Sequence, residues 1–324
     1  MKAIVQDRYG SPDTLAFEEV DTPVPAAGEV LVRVEAAALN AYDWHIMRGD
    51  PRLARLSMGR SGPRARIRGR DFAGRVEVVG AGVRDLRPGD AVFGDLGDAN
   101  GAFAEYVSVP ETLVARRPAN LTAEQAAALP LAGVTALMGL ADVAPDQQVL
   151  INGASGGVGT LAVQLAKTRG ATVTAVCSTR NTDLARSLGA DHVVDYTRAD
   201  FTHDAGRHDL VLDLVGNRSL TALRRALTPT GTLVLSGGGV YRGGSLVGPV
   251  WLIARGRLLA PFVRQRIVVL STVPGRSHLE TLRAHAEAGR LTPVIDRTFP
   301  LPEVPAAIRY LETEHARAKV VVTI

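Results

Sequence analysis

The residues best suited to chemistry are Gly153-Ala154-Ser155-Gly156-Gly157-Val158-Gly159, and the chemistry is holding a pyrophosphate. The apolar run Val149-Leu150-Ile151-Asn152 enters this cluster, and Leu161, Val163, Leu165 and Ala166 leave it at helical spacing. The pattern is strand, tight turn, helix. The first turn of a helix offers unpaired N–H groups and the positive end of the dipole. Glycines allow the sharp turn and let phosphate oxygens come close where a Cβ would obstruct. Lys167 and Arg169 in the last turn, with Gly170 just past it, close the helix.

A second apolar, β-branched run, Ala171 to Cys177, follows at once. It completes a strand–helix–strand unit of the length a parallel crossover needs, and ligands of such units lie at the carboxyl ends of the strands. This context turns an ordinary glycine-rich turn into a dinucleotide site. The residues after the second strand select the dinucleotide. An NAD site usually places a carboxylate there, about twenty residues past the glycines, on the ribose hydroxyls. This chain has Ser178-Thr179-Arg180-Asn181. With no carboxylate to repel a 2′-phosphate, and two hydroxyls and a guanidinium to bind it, NADPH is expected over NADH. The alternative is that Arg180 is a solvated turn residue.

The elements that must position this turn divide the chain in three. Residues 1 to about 121 are rich in short β-type runs: Met1 to Arg8, Ala16 to Val20, Glu29 to Ala38, Phe72 to Gly80, Ala91 to Phe93 and Gly101 to Val109. At Thr122, a capping box with Gln125 opens a helical stretch through Leu140. Strands then alternate with helices: Val149 to Asn152, Val173 to Cys177, His192 to Asp195, Leu210 to Leu214, Thr232 to Leu235 and Ile267 to Leu270. Continuous apolar strands imply a sheet covered on both faces, hence a doubly wound parallel sheet of about six strands. From about Gly275 a helix over Leu279 to Ala288 leads to a last strand, Lys319 to Ile324.

Composition fits two domains of a soluble enzyme: 324 residues, 46% of them hydrophobic. The opening residues hold no long apolar segment, and Leu246 to Val263 is interrupted by Arg255 and Arg257, so neither a secretory signal nor a membrane span is expected and the cytoplasm is the expected location. Cys177 is the only cysteine and reads as inert packing. The net charge of +4 comes almost wholly from arginine, as the only lysines are Lys2, Lys167 and Lys319. This reads as coding bias rather than a design for nucleic acid. Arginines cluster at 48, 52, 55, 60, 64, 66, 68 and 70, which makes either a solvated loop or a surface attracting an anionic substrate or an acidic carrier.

In order, the chain also carries Met1-Lys2-Ala3-Ile4-Val5; Gly28-Glu29-Val30-Leu31-Val32; Asn40 and Asp43 with two residues between; Gly69-Arg70-Asp71-Phe72-Ala73-Gly74; Arg87-Pro88-Gly89-Asp90-Ala91-Val92; the glycine turn; Leu188-Gly189-Ala190-Asp191; and Lys319-Val320-Val321. This series resembles the medium-chain dehydrogenase/reductase superfamily, in its zinc-free NADPH:quinone oxidoreductase-like branch, over almost the full length. The resemblance implies an α/β fold: a Rossmann doubly wound parallel sheet plus a GroES-like, mostly β catalytic domain. The expected boundaries are 1–121 for the catalytic part, 122–274 for the NADP-binding domain, and 275–324 for a segment returning to the first.

The resemblance also implies site residues. Gly153, Ala154, Ser155, Gly156, Gly157, Val158 and Gly159 would hold the cofactor's diphosphate, and Ser178, Thr179, Arg180 and Tyr196 its 2′-phosphate end. Thr135 would lie beside the nicotinamide half, Val215, Gly216, Ser236, Gly237 and Gly238 at the strand ends, and Lys319 on the cofactor. Each has a plain alternative: Thr135 bonded to its own helix, Tyr196 a packed ring, Lys319 a solvated lysine before an edge strand, the glycine loops ordinary turns.

Zinc relatives hold a catalytic metal with Cys and His ligands, often with a Glu. Here Asn40 stands at the first-ligand position, and Arg70-Asp71 where His-Glu is frequent. The first domain has no cysteine, and His45 alone makes no site, so no metal is expected. Chemistry would be hydride transfer from NADPH to a conjugated carbonyl in the cleft between domains, with the developing oxyanion held by hydrogen bonds. Asn40, Tyr42, Asp43 and His45 are the catalytic candidates, since the corresponding loop in the family faces the nicotinamide. Asn40 would orient the substrate or the cofactor amide. Tyr42 or His45 would donate a hydrogen bond or proton, and Asp43 would fix the loop. Some relatives carry a Tyr after the loop's Gly. Asp50-Pro51-Arg52-Leu53 follows Gly49 here, so a tyrosine-assisted enoyl reduction would need Tyr42.

Three readings follow. The first is an NADPH-dependent reductase of quinones or related conjugated carbonyls, expected as a homodimer. The second is an enoyl-thioester or polyketide-enone reductase whose arginine-rich 48–70 segment meets an acyl carrier. The third is a non-catalytic NADPH-binding sensor or nucleic-acid binder, for which a salt-dependent gel shift would be the mark.

Overall fold

The chain divides into one unit made of Met1–Val134 with Val273–Ile324 and a second made of Thr135–Thr272. The computed structural model describes residues 1–203, 207–236, 244–246, 248, 250–314 and 316–324. In the first unit, β1 (Lys2–Gln6) and β2 (Leu15–Glu19) form an antiparallel pair. Next come β3 (Glu29–Ala38), α1 (Ala41–Arg48), the short α2 (Arg55–Met58), β4 (Asp71–Val79), β5 (Ala91–Asp95), β6 (Tyr106–Pro110), β7 (Val114–Arg116) and α3 (Ala123–Ala127). After α4 (Pro130–Gly139), the second unit contributes β8 (Gln148–Asn152), α5 (Gly157–Thr168), β9 (Thr172–Cys177), α6 (Thr182–Ser187), β10 (His192–Asp195), β11 (His208–Asp213), α7 (Leu220–Arg225), β12 (Leu227–Leu235), α8 (Val250–Leu259) and β13 (Arg266–Val269). The chain returns to the first unit with α9 (Arg276–Glu287), β14 (Ile295–Pro300), α10 (Val304–Thr313) and β15 (Lys319–Thr323).

The sheet of the second unit runs β10-β9-β8-β11-β12-β13, with every neighbour parallel. The order turns back on either side of β8, which is the switch point of a doubly wound Rossmann sheet. Its central strands are apolar on both faces, as in Val149-Leu150-Ile151 and Leu210-Val211-Leu212, all nearly or fully buried. Helices on both sides cover such strands. The larger sheet of the first unit runs β14-β15-β3-β4-β5-β7, with β6 also on β3. In β3, Val30, Leu31, Val32 and Val34 are buried with Arg33 exposed between them, and Ala36, Ala37 and Ala38 are all buried.

Local physics shifts several expectations. Thr122 does cap α3: its hydroxyl accepts from Gln125 N–H at 3.2 Å while Gln125 Oε1 accepts from Thr122 N–H at 3.1 Å. The helix nevertheless stops, because Pro130 has no N–H to continue it and instead starts α4. α3 belongs to the first unit, so the boundary expected at 122 falls at Val134/Thr135. The stretch read as a loop from Asn40 to His45 is an N-cap and the first turn of α1. Of the strand expected over Gly101 to Val109, only the second half forms, as β6. Ahead of the last strand the structure adds β14, which ends at Pro300, and α10, which has Pro305 in its first turn. Among the described residues no helix is long and apolar enough to cross a membrane. Cys177 is buried at the end of β9.

Candidate functional site

In the second unit, β8 ends at Asn152 and the chain turns through Gly153, whose φ of +88° is left-handed and suits glycine. Gly156 is the N-cap of α5, and no side chain caps that end. The first intrahelical donor is Thr160 N–H, on Gly156 O at 3.0 Å, so the amides of Gly157, Val158 and Gly159 precede any helical acceptor. A Cβ on Gly159 would lie 2.1 Å from Gly153 O and 2.7 Å from the Ala154 backbone, so only glycine lets the helix close this tightly on the turn. This is a cradle whose first amides have no helical acceptor, and a dinucleotide diphosphate fits it by shape and charge.

The strand ends beside it are tied by a link the sequence reading missed. Buried Asn152 donates to Asp213 Oδ1 at 2.8 Å and to Asn217 Oδ1 at 3.1 Å. Asp213 Oδ1 also accepts from Val215 N–H at 3.3 Å and Gly216 N–H at 3.1 Å, which fixes the loop after β11. Burial pushes the Asp213 carboxyl up, against those hydrogen bonds. Ser236 follows β12 and donates its N–H to Asp213 O at 3.1 Å. Gly237 and Gly238 lie outside the described residues. Thr135 is buried on α4.

At the end of β9, Asn181 Nδ2 donates to Ser155 Oγ at 3.0 Å and Ser178 Oγ at 3.2 Å, joining the glycine turn to the next loop. Thr179 and Arg180 are exposed. One expectation is corrected here. A carboxylate does stand beside this loop: Asp195, at the end of β10, which the register places opposite Cys177. It accepts the Thr179 hydroxyl proton and also Thr197 N–H at 3.0 Å. The Thr179 hydrogen bond holds its carboxyl below the ordinary carboxylate value. Tyr196 follows it, with 46% of its surface exposed.

In the first unit, Asn40 is the N-cap of α1, and Asp43 Oδ2 accepts its N–H at 2.7 Å. Asp43 therefore fixes the start of the helix, the role expected for it. The Asn40 side chain turns elsewhere. Its Nδ2 donates to Asp71 Oδ2 at 3.0 Å, and its Oδ1 accepts from Lys319 Nζ at 2.6 Å. Lys319 also donates to Leu39 O at 2.9 Å and is buried, contrary to the picture of a solvated lysine before an edge strand. β15 is not an edge; it runs between β14 and β3. Burial, then the Asp95 charge, pushes the Asp71 carboxyl up to about 7, and burial pulls the Lys319 ammonium down against the pull of Asp71.

Tyr42 and His45 face other partners. Tyr42 Oη donates to Asp98 Oδ1 at 2.9 Å, and burial, followed by the Asp98 charge, pushes the phenol up to about 12. His45 Nδ1 lies 2.8 Å from Asp50 O, so it must carry the proton of that bond. Burial keeps the imidazole neutral by lowering its pKa, which leaves Nε2 an acceptor. Both groups have their protons committed. Arg70 forms a two-pronged bond with Asp95, both buried. Zinc does not fit this centre: a guanidinium cannot ligate a metal, and the ammonium of Lys319 already lies against Asn40 and Asp71. The arginine run is also largely committed within the unit. Arg48 pairs with Glu312 at 2.8 Å, Arg55 donates to Gly49 O at 2.9 Å, Arg66 pairs with Asp7 at 2.8 Å, and Arg68 is buried.

Residues 26–119 match the family described as alcohol dehydrogenase GroES-like domain, and residues 188–322 the one described as zinc-binding dehydrogenase. The chain is 34% identical to the chloroplastic quinone-oxidoreductase QR1 of Triphysaria versicolor, over 99% of this chain and 98% of that protein. It is also 34% identical to the chloroplastic NADPH-dependent alkenal/one oxidoreductase of Arabidopsis thaliana, over 99% of this chain and 79% of that one. The structure of Escherichia coli quinone oxidoreductase complexed with NADPH superposes with a TM-score of 0.86 and 25% identity, covering 100% of both chains.

Proposed function

The chain belongs to the zinc-free quinone oxidoreductase-like branch of the medium-chain dehydrogenase/reductase superfamily and is an oxidoreductase, and on that premise we propose that it transfers hydride from NADPH to a quinone or related conjugated carbonyl. The observation that carries this is the uncapped α5 terminus, closed on Gly153 by a glycine that tolerates no Cβ. The nicotinamide, when bound, supplies the hydride. The protein's share is position and polarity. The amides of Gly157, Val158 and Gly159 hold the diphosphate. Ser178, Thr179, Arg180 and Tyr196 serve the 2′-phosphate. Asn40 orients the acceptor or the cofactor amide. Since the Tyr42 and His45 protons are held by Asp98 and Asp50, solvent supplies the proton that completes reduction.

NADPH oxidation should be followed against a panel of quinones, enones and enoyl thioesters. Turnover of quinones or enones is expected, faster than of thioesters, in line with the quinone and alkenal/one oxidoreductases that the chain resembles. No turnover across the panel overturns the reading. Asp195 favours a second reading, NADH, since a carboxylate beside Thr179 can accept from ribose hydroxyls. Arg180→Ala separates the two. If Arg180 binds the 2′-phosphate, the affinity for NADPH falls about tenfold, ~1.4 kcal/mol, and that for NADH stays put, as read by fluorescence titration. Equal loss of both would place Arg180 on a part the two dinucleotides share, and no loss would take it out of the cofactor site. The homodimer belongs to the same reading, and light scattering at micromolar concentration tests it.

A further inference from the structure

Asn40 is gripped at both ends of its amide by ions from distant parts of the chain. An ammonium can only donate and a carboxylate can only accept. Lys319 at 2.6 Å therefore dictates that Oδ1 faces it, which turns Nδ2 toward Asp71 at 3.0 Å. The register builds this arrangement. Val321 pairs with Ala38, Leu39 N–H bonds Val320 O at 2.9 Å, and the antiparallel count then brings Lys319 to Asn40. On the other side Ala38 pairs with Asp71. Asp71 is further held by the Leu131 N–H, 3.2 Å from each of its oxygens.

Exposure divides the trio. Asp71 is 0% exposed and Lys319 2%, whereas Asn40 is half-buried. Only the asparagine has a face for a ligand. Its Oδ1 retains a second lone pair, and among the described residues its second amide proton meets only Ala38 O, at 3.4 Å. An amide with one acceptor and one donor site left over, in a single orientation, can orient a reactant.

Given the reading that Asn40 orients a reactant, we propose that Lys319, together with Asp71, is a positioning residue that acts on turnover through the Asn40 amide and does not bind the dinucleotide. Without the ammonium, buried Asp71 would keep only the charge of Arg70, which is already paired with Asp95, and would take up a proton more readily. A protonated carboxyl can donate, so Asn40 could then turn its oxygen toward Asp71 and reverse what it offers outward. The lysine thus selects one of two amide orientations.

Lys319→Met is the test, with three readouts. The kcat at saturating NADPH should fall by about tenfold to a hundredfold, the scale of a misplaced orienting group, with NADPH affinity by fluorescence titration within twofold of the parent. Adding Lys319→Met to Asn40→Ala should lower kcat no further, since the lysine acts through the amide. The Asn40 side-chain amide protons, sharp in the parent NMR spectrum, should shift or double. Should Lys319→Met not fold, Lys319→Met with Asp71→Asn, which removes both buried charges, is read in its place with the same expectations. A tenfold loss of NADPH affinity with kcat intact makes Lys319 a cofactor ligand and overturns the proposal. So do multiplying losses in the double variant, or an unchanged Asn40 signal. Failure of the parent to turn over any quinone or enone sinks the reductase reading instead, while the NMR signal still decides what the lysine does.

Discussion

Gly159→Ala should weaken NADPH binding by about a hundredfold, ~3 kcal/mol. Helix propensity argues the opposite sign: alanine in a helix is worth about 1 kcal/mol over glycine. Space decides. The new Cβ would meet Gly153 O at 2.1 Å and Ala154 C and Cα at 2.7 Å, all backbone atoms that cannot swing aside. The turn must open. Gly153 O, which accepts Gly156 N–H at 3.1 Å, must move with it, and the amides at the start of α5 lose their common focus. Fluorescence titration with NADPH and a thermal melt check this together. Unchanged affinity in a folded variant would mean that the diphosphate does not rest on this turn.

Asp95→Ala should destabilise the protein by about 3–5 kcal/mol, the cost of stranding a buried ion. The side chains of Arg70 and Asp95 are 6% and 2% exposed, and Arg70 Nη2 reaches Asp95 Oδ2 at 2.9 Å. Asp95 Oδ1 also accepts Gly97 N–H at 2.8 Å, so its loss opens the turn after β5 as well. A urea titration should show a lower midpoint with an unchanged slope. Replacing both partners, Arg70→Met with Asp95→Leu, should recover most of the loss, because no bare charge remains. The exposed pair Arg66–Asp7 gives the contrast: Asp7→Ala should leave the urea midpoint close to that of the parent. A mild Asp95→Ala would mean that water or a neighbour takes over Arg70.

How much of this was legible follows from how locally each feature is written. The glycine turn and its flanking strands lie in one short stretch, and they were read with nearly their observed bounds. Glu29–Ala38 was read to the residue, because its β-branched run and its glycine boundary are both local. Asp195 was missed beside Thr179 although its strand was read. Which strand lies next to β9 is a property of the sheet order, and no residue near Thr179 announces it. The Asn40 centre was half legible. Asp43 as the fixing carboxylate is a spacing of three, visible in the chain. Lys319 reaching Asn40 depends on where β15 inserts, and a lysine before an apolar run looks like any other lysine beside a strand. The helical stretch after Thr122 reaches nearly to its expected end, and only its break at Pro130 escaped, because composition outweighed one proline.

The place of β15 governs the order in which the molecule can be completed. The residues of the second unit are contiguous, so that body has all its parts once Thr272 has left the ribosome. The first unit, though begun earlier, waits: β3 and β14 have a gap between them until β15 emerges to fill it. Until then two strand margins stand open to other chains, the condition under which nascent proteins aggregate or need a chaperone. The same late strand delivers the ammonium that settles Asn40, so a molecule caught before its insertion has neither a finished sheet nor an oriented amide.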